Sequence, residues 1–195
     1  LGDQVARVVN IVLAAVLLLL ASPLMAYVAW RIWRVDGAPI LFGHYRVGRD
    51  GQLFRCWKFR TMVQRADRAL QDLLEKDPAA RAQWEREHKL DNDPRITPIG
   101  RFLRRTSLDE LPQLFNVLFG QMRLVGPRPI VVQELRRYGA YKHHYLSVTP
   151  GMTGLWQVSG RNNTSYEERI QLDRRYVEAR TVWLDCAILL RTARV

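Results

Sequence analysis

The sequence is poor in the residues that build redox, zinc and nucleotide-loop chemistry. Only two of its 195 residues are cysteine, Cys56 and Cys186, far apart and each in an apolar context. Two such residues make neither a disulfide framework nor a metal cluster, so a reducing compartment is expected. Of four histidines only His143 and His144 are neighbours, and no Cys or His spacing matches a zinc site. The chain has no Gly-x-x-x-x-Gly-Lys run and no Gly-x-Gly-x-x-Gly run, which leaves P-loop and dinucleotide-binding folds without support. It also lacks internal repeats and low-complexity tracts. Acidic residues are scarce: nineteen Asp and Glu stand against thirty Lys and Arg, a formal charge of +11. That excess suits an anionic partner, whether nucleic acid, an anionic membrane surface or phosphorylated small molecules. No nucleic-acid recognition motif accompanies it, so nucleic acid is not expected as a partner. With 48% apolar residues the chain can bury one domain-sized core. It does not begin with Met, and a domain cut from a longer protein is the expectation.

Charge is absent altogether from Ile11 to Trp30, "IVLAAVLLLLASPLMAYVAW". As a continuous helix this run would be about 30 Å long, enough to cross a bilayer. A secretory signal does not fit, because Arg31 and Arg34 follow in place of a small-residue cleavage region. Ser22-Pro23 falls near the centre, where Pro removes one helix hydrogen bond and crowds the preceding turn. Arg7 before the run and Arg31 and Arg34 after it give both flanks a cytoplasmic preference. A helix that enters one leaflet, breaks at Ser22-Pro23 and returns satisfies both observations, with the Ser22 hydroxyl available to a freed carbonyl. A Pro-kinked spanning helix satisfies the first.

Beyond Gly37 and Pro39, Asp50-Gly51 between two β-prone runs predicts a hairpin. Residues 64–76 read as an amphipathic helix with Leu70, Leu73 and Leu74 on its apolar face. Asp77 as N-cap and Pro78 at the first helical position open a second helix to about residue 88. "TSLDELPQLFNVLFG" (106–120) reads as another: Ser107 and Glu110 have capping-box spacing, Leu111, Leu114, Phe115 and Leu118 follow at helical intervals, and Gly120 is the stop. A short helix is expected over 130–139, loop and short strand in "TPGMTGLWQVSGRNN", and a second capping box, Ser165 to Glu168, opening a helix to about Glu178. The end of the chain reads as an apolar helix with a basic tail.

Two carboxylate motifs compete as chemistry. Asp91-Asn92-Asp93 has the Asp-x-Asp form that holds a nucleotide diphosphate through a divalent cation, although Asp93-Pro94 equally suits a turn. Asp109-Glu110 is a helix-start feature or a reactive pair. The arginines favour phosphate as the partner of such chemistry. Lys58 and Arg60 lie in "KFRTM", Arg104 precedes the acidic pair, Arg128 sits between two prolines in "GPRP", and Arg161 lies in "SGRN". Rigid turns let arginine present a fixed fork to phosphate oxygens. A carboxylate can attack phosphorus where a cation and arginines disperse the charge.

The motifs "ASP", "KFRTM", "DPRITPIGRFLRRTSLDELPQLFNVL", "LVGPRP" and "PGMTGLWQVSGRN" occur in this order over nearly the whole chain. In them the sequence resembles the bacterial sugar transferases, monotopic polyprenyl-phosphate hexose-1-phosphate transferases (phosphoglycosyl transferases). The resemblance implies an α+β, mostly helical fold: a re-entrant membrane helix broken at Ser22-Pro23 (residues 1–36), then a compact cytoplasmic catalytic domain with a small β-hairpin (37–195). It implies a bacterial inner-membrane enzyme whose active site faces the cytoplasm. Asp109 would attack the β-phosphorus of a UDP-sugar, releasing UMP and leaving a covalent sugar-phosphate. Undecaprenyl phosphate would then accept it, in the first membrane step of lipopolysaccharide O-antigen, capsule or exopolysaccharide biosynthesis. Glu110, with Asp109, matches the magnesium (Mg2+) site. Lys58, Arg60, Arg104, Arg128, Pro129 and Arg161 match substrate-binding positions, and Asp173 and Asp185 lie in family-like positions without a firm role. "FGHYRVG" and "KLDNDPRIT" lean towards galactose or glucose as the sugar, and a homodimer is one assembly open to such an enzyme. Asn10 stands where many relatives carry Asp, and because the sequence ends at "RTARV" a terminal segment common among relatives is expected to lie outside it. A conventional glycosyltransferase using Asp91 and Asp93, and a membrane-anchored basic binding module, are the competing readings.

Overall fold

The computed structural model describes residues 2–87, 90–91, 93–160 and 164–192. Helix α1 (Gly2–Asp36) is followed by the strands β1 (Leu41–Val47) and β2 (Leu53–Phe59), then α2 (Ala66–Lys76), α3 (Pro78–Glu87) and α4 (Pro98–Thr106). After a 3-10 turn at Leu108–Glu110 come α5 (Gln113–Leu118), β3 (Arg123–Val125), α6 (Val132–Leu135), α7 (Lys142–Leu146), β4 (Gly151–Thr153), α8 (Tyr166–Ala179) and α9 (Val182–Thr192). Helices dominate. The described strands form two two-stranded sheets, the β1–β2 hairpin and a parallel β3–β4 pair.

Helix α1 is long and apolar enough to cross a membrane by length and composition. Its helical backbone runs through Ser22-Pro23, so the expected break is not a gap in the helix, and a bend at Pro23 stays compatible with it. The physical reason lies in the hydrogen bonding. Pro23 has no N–H for the Leu19 carbonyl, and the Ser22 hydroxyl donates to that carbonyl instead, at 2.8 Å. Most apolar side chains along the helix are exposed, among them Val12, Val16, Leu20 and Leu24, and Tyr27, Trp30 and Trp33 gather toward its end. In water this surface has no partner; in lipid it has one.

The chain divides into two compact units, residues 1–22, 43–57 and 112–195 forming one and residues 23–42 and 58–111 the other. In the first unit, Val47, Ile130, Tyr138, Tyr145 and Ile170 make the core. It is built on tyrosines whose hydroxyls are used: Tyr145 donates to the Val47 carbonyl (2.7 Å) and Tyr138 to Asp173 (2.8 Å). Asn116, fully buried, ties β2 to α5 by accepting from the Trp57 N–H and donating to the Arg55 carbonyl. Backbone meets backbone where β3 and β4 pair. A Cβ on Gly151 would lie 2.1 Å from the Gly126 nitrogen.

In the second unit Val28 and Ile32 from α1 pack with Phe59 and Leu103. The carbonyl of Thr61 is its organising acceptor. It receives the Thr97 N–H at 3.0 Å and sits directly over Gly100, where an added Cβ would be 2.0 Å from it. Thr97 in turn caps α4 by accepting from the Gly100 N–H, with Pro98 in the first turn.

The local motifs form as read. Asp50 and Gly51 take positive φ at the hairpin turn, Asp77 accepts from the N–H groups of Ala79 and Ala80, and Ser165 and Glu168 cap α8 reciprocally. The capping box at Ser107 does not form. Ser107 has φ 57° and ψ 14° and ends α4 as a left-handed residue, whereas an N-cap needs an extended backbone. The acidic pair therefore sits in a 3-10 turn, and α5 starts only at Gln113. The 130–139 helix is shorter than expected and continues as 3-10 turns to Tyr141.

Replacing Gly100 by Ala should force the Thr61 segment off α4 and cost about 1–3 kcal/mol. Denaturation of the purified variant in detergent checks this, and an unchanged midpoint would show that the segment gives way freely.

Candidate active site

Five of the expected catalytic and substrate-binding residues, Lys58, Arg60, Arg104, Asp109 and Glu110, lie in the second unit, and all but Arg60 interact with one another there. Lys58 follows from strand alternation: Phe59 enters the core, so its neighbour faces the other way. Its ammonium is 2.5 Å from Glu110 Oε1 and 3.8 Å from Asp109 Oδ2. Arg104, in the last turn of α4, donates through Nε to the Thr61 hydroxyl at 2.8 Å. Its charge reaches Asp109 as well.

Asp109 is the buried member of the pair, 8% exposed. Burial pushes its carboxyl above the ordinary value; Lys58 pulls it back, Glu110 pushes it up again, and Arg104 lowers it. Such a carboxylate has shed much of its hydration, which raises its reactivity as a nucleophile, while two cations hold it against protonation. Glu110 is half-buried and keeps one oxygen for other work. The arrangement is a desolvated carboxylate beside a cation and a second carboxylate.

The remaining residues are placed differently. Arg60 is buried at the end of α1, where its guanidinium donates to the carbonyls of Asp36 and Gly37 and pairs with the Asp36 carboxylate at 3.2 Å. Cations at a helix C-terminus satisfy carbonyls and the dipole, so the geometry gives Arg60 a clamping role. Asp93, of the Asp-x-Asp alternative, is committed to Arg95: both its oxygens accept from that guanidinium, which stacks on Trp84. Burial alone would raise the Asp93 carboxyl, but the Arg95 hydrogen bonds outweigh it and hold it low. Asp91 is exposed, and Asn92 lies outside the described residues. The turn reading of Asp93-Pro94 is the one the geometry carries.

In the first unit, Arg128 is exposed while Pro127 and Pro129 on either side are buried. Its guanidinium lies 5.7 Å from the buried ring of Trp156, which also carries Arg169 at 4.5 Å. Trp156 and Arg169 were not legible as a pair, since nothing in their spacing marks them. Arg161 lies outside the described residues. Asp173 is buried among tyrosines and pushed up to about 7 by burial, despite the Tyr138 hydrogen bond and the Arg128 charge. Asp185 accepts from Tyr176 at 2.7 Å. Both aspartates are knit into the core of their unit.

The model of one protein family, described as bacterial sugar transferase, matches residues 2–195. The chain belongs to this family. It is 57% identical, over 97% of its own length and 40% of the other's, to the undecaprenyl-phosphate galactose phosphotransferase of Salmonella typhimurium. It is 43% identical, over 98% of its length and 85% of the other's, to the exopolysaccharide production protein ExoY of Sinorhizobium fredii. Against the UDP-glucose:undecaprenyl-phosphate glucose-1-phosphate transferase of Escherichia coli identity is 38%, covering 95% and 39% of the two chains. The chain thus spans about two-fifths of the Salmonella and Escherichia relatives, and most of ExoY's length.

Burial raises the carboxyls of Asp109, Asp173 and Asp185, and each contributes to the pH response of stability. A raised folded-state value means that the folded protein binds more protons, so its stability is greatest in acid and falls as pH rises through the raised value. For Asp173 that window runs from about pH 4 to about pH 7. The Asp173→Asn variant, which retains an acceptor for Tyr138, should flatten the decline; denaturation midpoints across this range, compared with wild type, measure it. Asp109→Asn should likewise raise the midpoint at neutral pH. A fall there would mean that Lys58 and Arg104 outweigh burial.

Proposed function

We propose that the protein transfers a hexose-1-phosphate, galactose-1-phosphate or glucose-1-phosphate, from a UDP-sugar to undecaprenyl phosphate. The single observation that carries this reading is the buried Asp109 carboxylate flanked by Lys58, Arg104 and Glu110. The printed names of the Salmonella and Escherichia relatives support the substrate class.

In the first step an Asp109 carboxylate oxygen attacks the β-phosphorus. The bond from that phosphorus to the oxygen bridging the two phosphates breaks, and UMP leaves with the oxygen. Lys58 and Arg104 oppose the charge that gathers as the anionic groups meet. In the second step an oxygen of undecaprenyl phosphate attacks the same phosphorus and releases the Asp109 carboxylate, giving a lipid-diphosphate sugar. Burial of Asp109 keeps water from competing for the intermediate.

A magnesium ion fits the residues present. Among the described residues no three His, Cys, Asp or Glu side chains cluster as a metal cage, and magnesium characteristically takes only one or two carboxylates, with phosphates and water completing its shell. Glu110, through the oxygen that Lys58 leaves, and Asp109 would hold it. When bound, the ion would neutralise phosphate charge. Roles for Arg60, Arg128, Pro129 and Arg161 in binding substrate rest on the family resemblance; Arg60 also clamps the end of α1.

The membrane reading is a helix that enters and leaves by the cytoplasmic face of the bacterial inner membrane, bent at Ser22-Pro23. Support comes from each end of α1. Asn10 accepts from the Leu124 N–H, and Val28 and Ile32 pack on Phe59 and Leu103. The residues between, 11–27, would reach only about 26 Å as a helix, short of the roughly 30 Å hydrocarbon layer.

Purified protein with magnesium, undecaprenyl phosphate and UDP-galactose or UDP-glucose should release UMP. Asp109→Asn should lower the rate by at least about a thousandfold, as loss of a covalent nucleophile does. Release of UDP, or turnover surviving the substitution, would overturn the mechanism.

A further inference from the structure

The larger open question in the first unit is a cavity of about 540 Å³ that contains none of the residues assigned to chemistry above. Its volume lies within the usual range for ligand sites, about 300–1,000 Å³. Three arginines line it, Arg7 on α1, Arg49 at the hairpin turn and Arg123 at the start of β3, against one carboxylate, Asp50. Asp50 lies 3.6 Å from Arg49 Nε in an exposed pair, worth little in water. Gln4, Asn10, Gln52 and Gln121 add uncharged polar groups. The lining is cationic and hydrogen-bonding.

The chain fixes the cavity's walls with some care. Asn10 holds α1 in register by accepting from the Leu124 N–H and donating to the Ala6 carbonyl, each at 2.8 Å. Gly120 has φ +71°, and a Cβ there would lie 2.9 Å from Arg7 Nη2. The glycine thus both ends α5 and lets the Arg7 guanidinium lie against the backbone. At the same time Leu53 and Phe119, also lining residues, are 56% and 67% exposed. A polar cationic floor carries an apolar rim.

Depth identifies the ligand's source. The apolar run of α1 begins at Ile11, after the polar Asn10, so Arg7 stands four residues, about 6 Å, outside it along the helix axis. The headgroup layer of a bilayer is about 5–8 Å thick on each side. Arg7 is therefore at the level of lipid phosphates when the apolar run is in hydrocarbon. The geometry points to this cavity as a binding site for the phosphate of an anionic membrane phospholipid, with Arg7, Arg49 and Arg123 on the phosphate and Leu53 and Phe119 beside the acyl chains. The inference is separate from the reaction at Asp109, and its test requires no turnover.

The test uses the full chain in nanodiscs of phosphatidylcholine with a minority of phosphatidylglycerol. After transfer to detergent, retained lipids are counted by native mass spectrometry. Wild type should retain phosphatidylglycerol at least about fivefold above its bulk share, and Arg7→Gln/Arg49→Gln should return it to that share. Arg65→Gln/Arg68→Gln removes the same charge from α2 and should retain the enrichment. Equal loss in both double variants would mean that the charge of the whole surface, and not the cavity, attracts the lipid, and would overturn the proposal. So would wild-type retention at the bulk share. In a second arm, inorganic phosphate is titrated into detergent-solubilised protein while the unfolding midpoint is followed. Saturable stabilisation that phosphatidylglycerol does not displace would assign the cavity to a soluble phosphate and overturn the lipid source. Should the Arg7→Gln/Arg49→Gln chain fail to fold, Arg7→Lys/Arg49→Lys, which keeps charge but loses the planar fork, must show reduced enrichment.

Discussion

The carbonyl of Thr61 and the bare Cα of Gly100 touch, and the chemistry of the second unit hangs on that contact. Because no side chain separates them, the segment leaving β2 lies directly on α4 and receives the Thr97 N–H. Three residues before Thr61 is Lys58; four after Gly100 is Arg104. The hydroxyl of Thr61 itself accepts from Arg104, so one residue registers both cations. The left-handed Ser107 then turns the chain at the end of α4 and leads into the turn that carries Asp109 and Glu110. Precision at Asp109 is thus inherited from a glycine nine residues earlier. Backbone hydrogen bonds, not the reactive side chains, do the positioning.

What was legible in the sequence was short-range. Asp50-Gly51, Asp77-Pro78 and the Ser165–Glu168 box each state a backbone conformation within four residues, and each conformation is present. Ser107 and Glu110 had the same form and failed, because α4 must end where Ser107 stands and the left-handed residue that ends it cannot also be an N-cap. Two helix signals overlapped at one position, and spacing alone could not rank them. Asp109 and Glu110 were singled out through resemblance, together with Lys58 and Arg104, and the four lie together. Asn116, Trp156 and the clamp made by Arg60 were not, since each depends on partners distant in sequence: Asn116 on Trp57, Trp156 on Arg128 and Arg169, Arg60 on Asp36.

Arg60 shows how a motif mixes roles that sequence reading merges. In "KFRTM" the side chains alternate, so Lys58 and Arg60 leave β2 and its extension on the same side by strand logic. Yet one ends on the carboxylate pair and the other on the carbonyls closing α1. The length of the guanidinium arm and the end of the strand at Phe59 allow the divergence. Two neighbouring cations of one motif thus meet different partners, Lys58 the carboxylate pair and Arg60 the carbonyls that close α1.

Two carboxyls in this basic chain are buried against their own preference, and they differ in what surrounds them. Asp173 lies among tyrosines, and its Tyr138 hydrogen bond and the distant Arg128 leave it far above an ordinary aspartate. Burial there builds a hydrogen-bonded core. Asp109 is raised by burial too, but Lys58 and Arg104 pull against the shift and Glu110 adds to it. Opposed influences of that kind keep a desolvated oxygen close to ionisation without letting it pair off completely: Lys58 sits nearer Glu110 than Asp109. A tighter Lys58–Asp109 pair would occupy the lone pairs that the proposed reaction needs at phosphorus. Lys58, held closer by Glu110, leaves Asp109 a desolvated carboxylate at 3.8 Å.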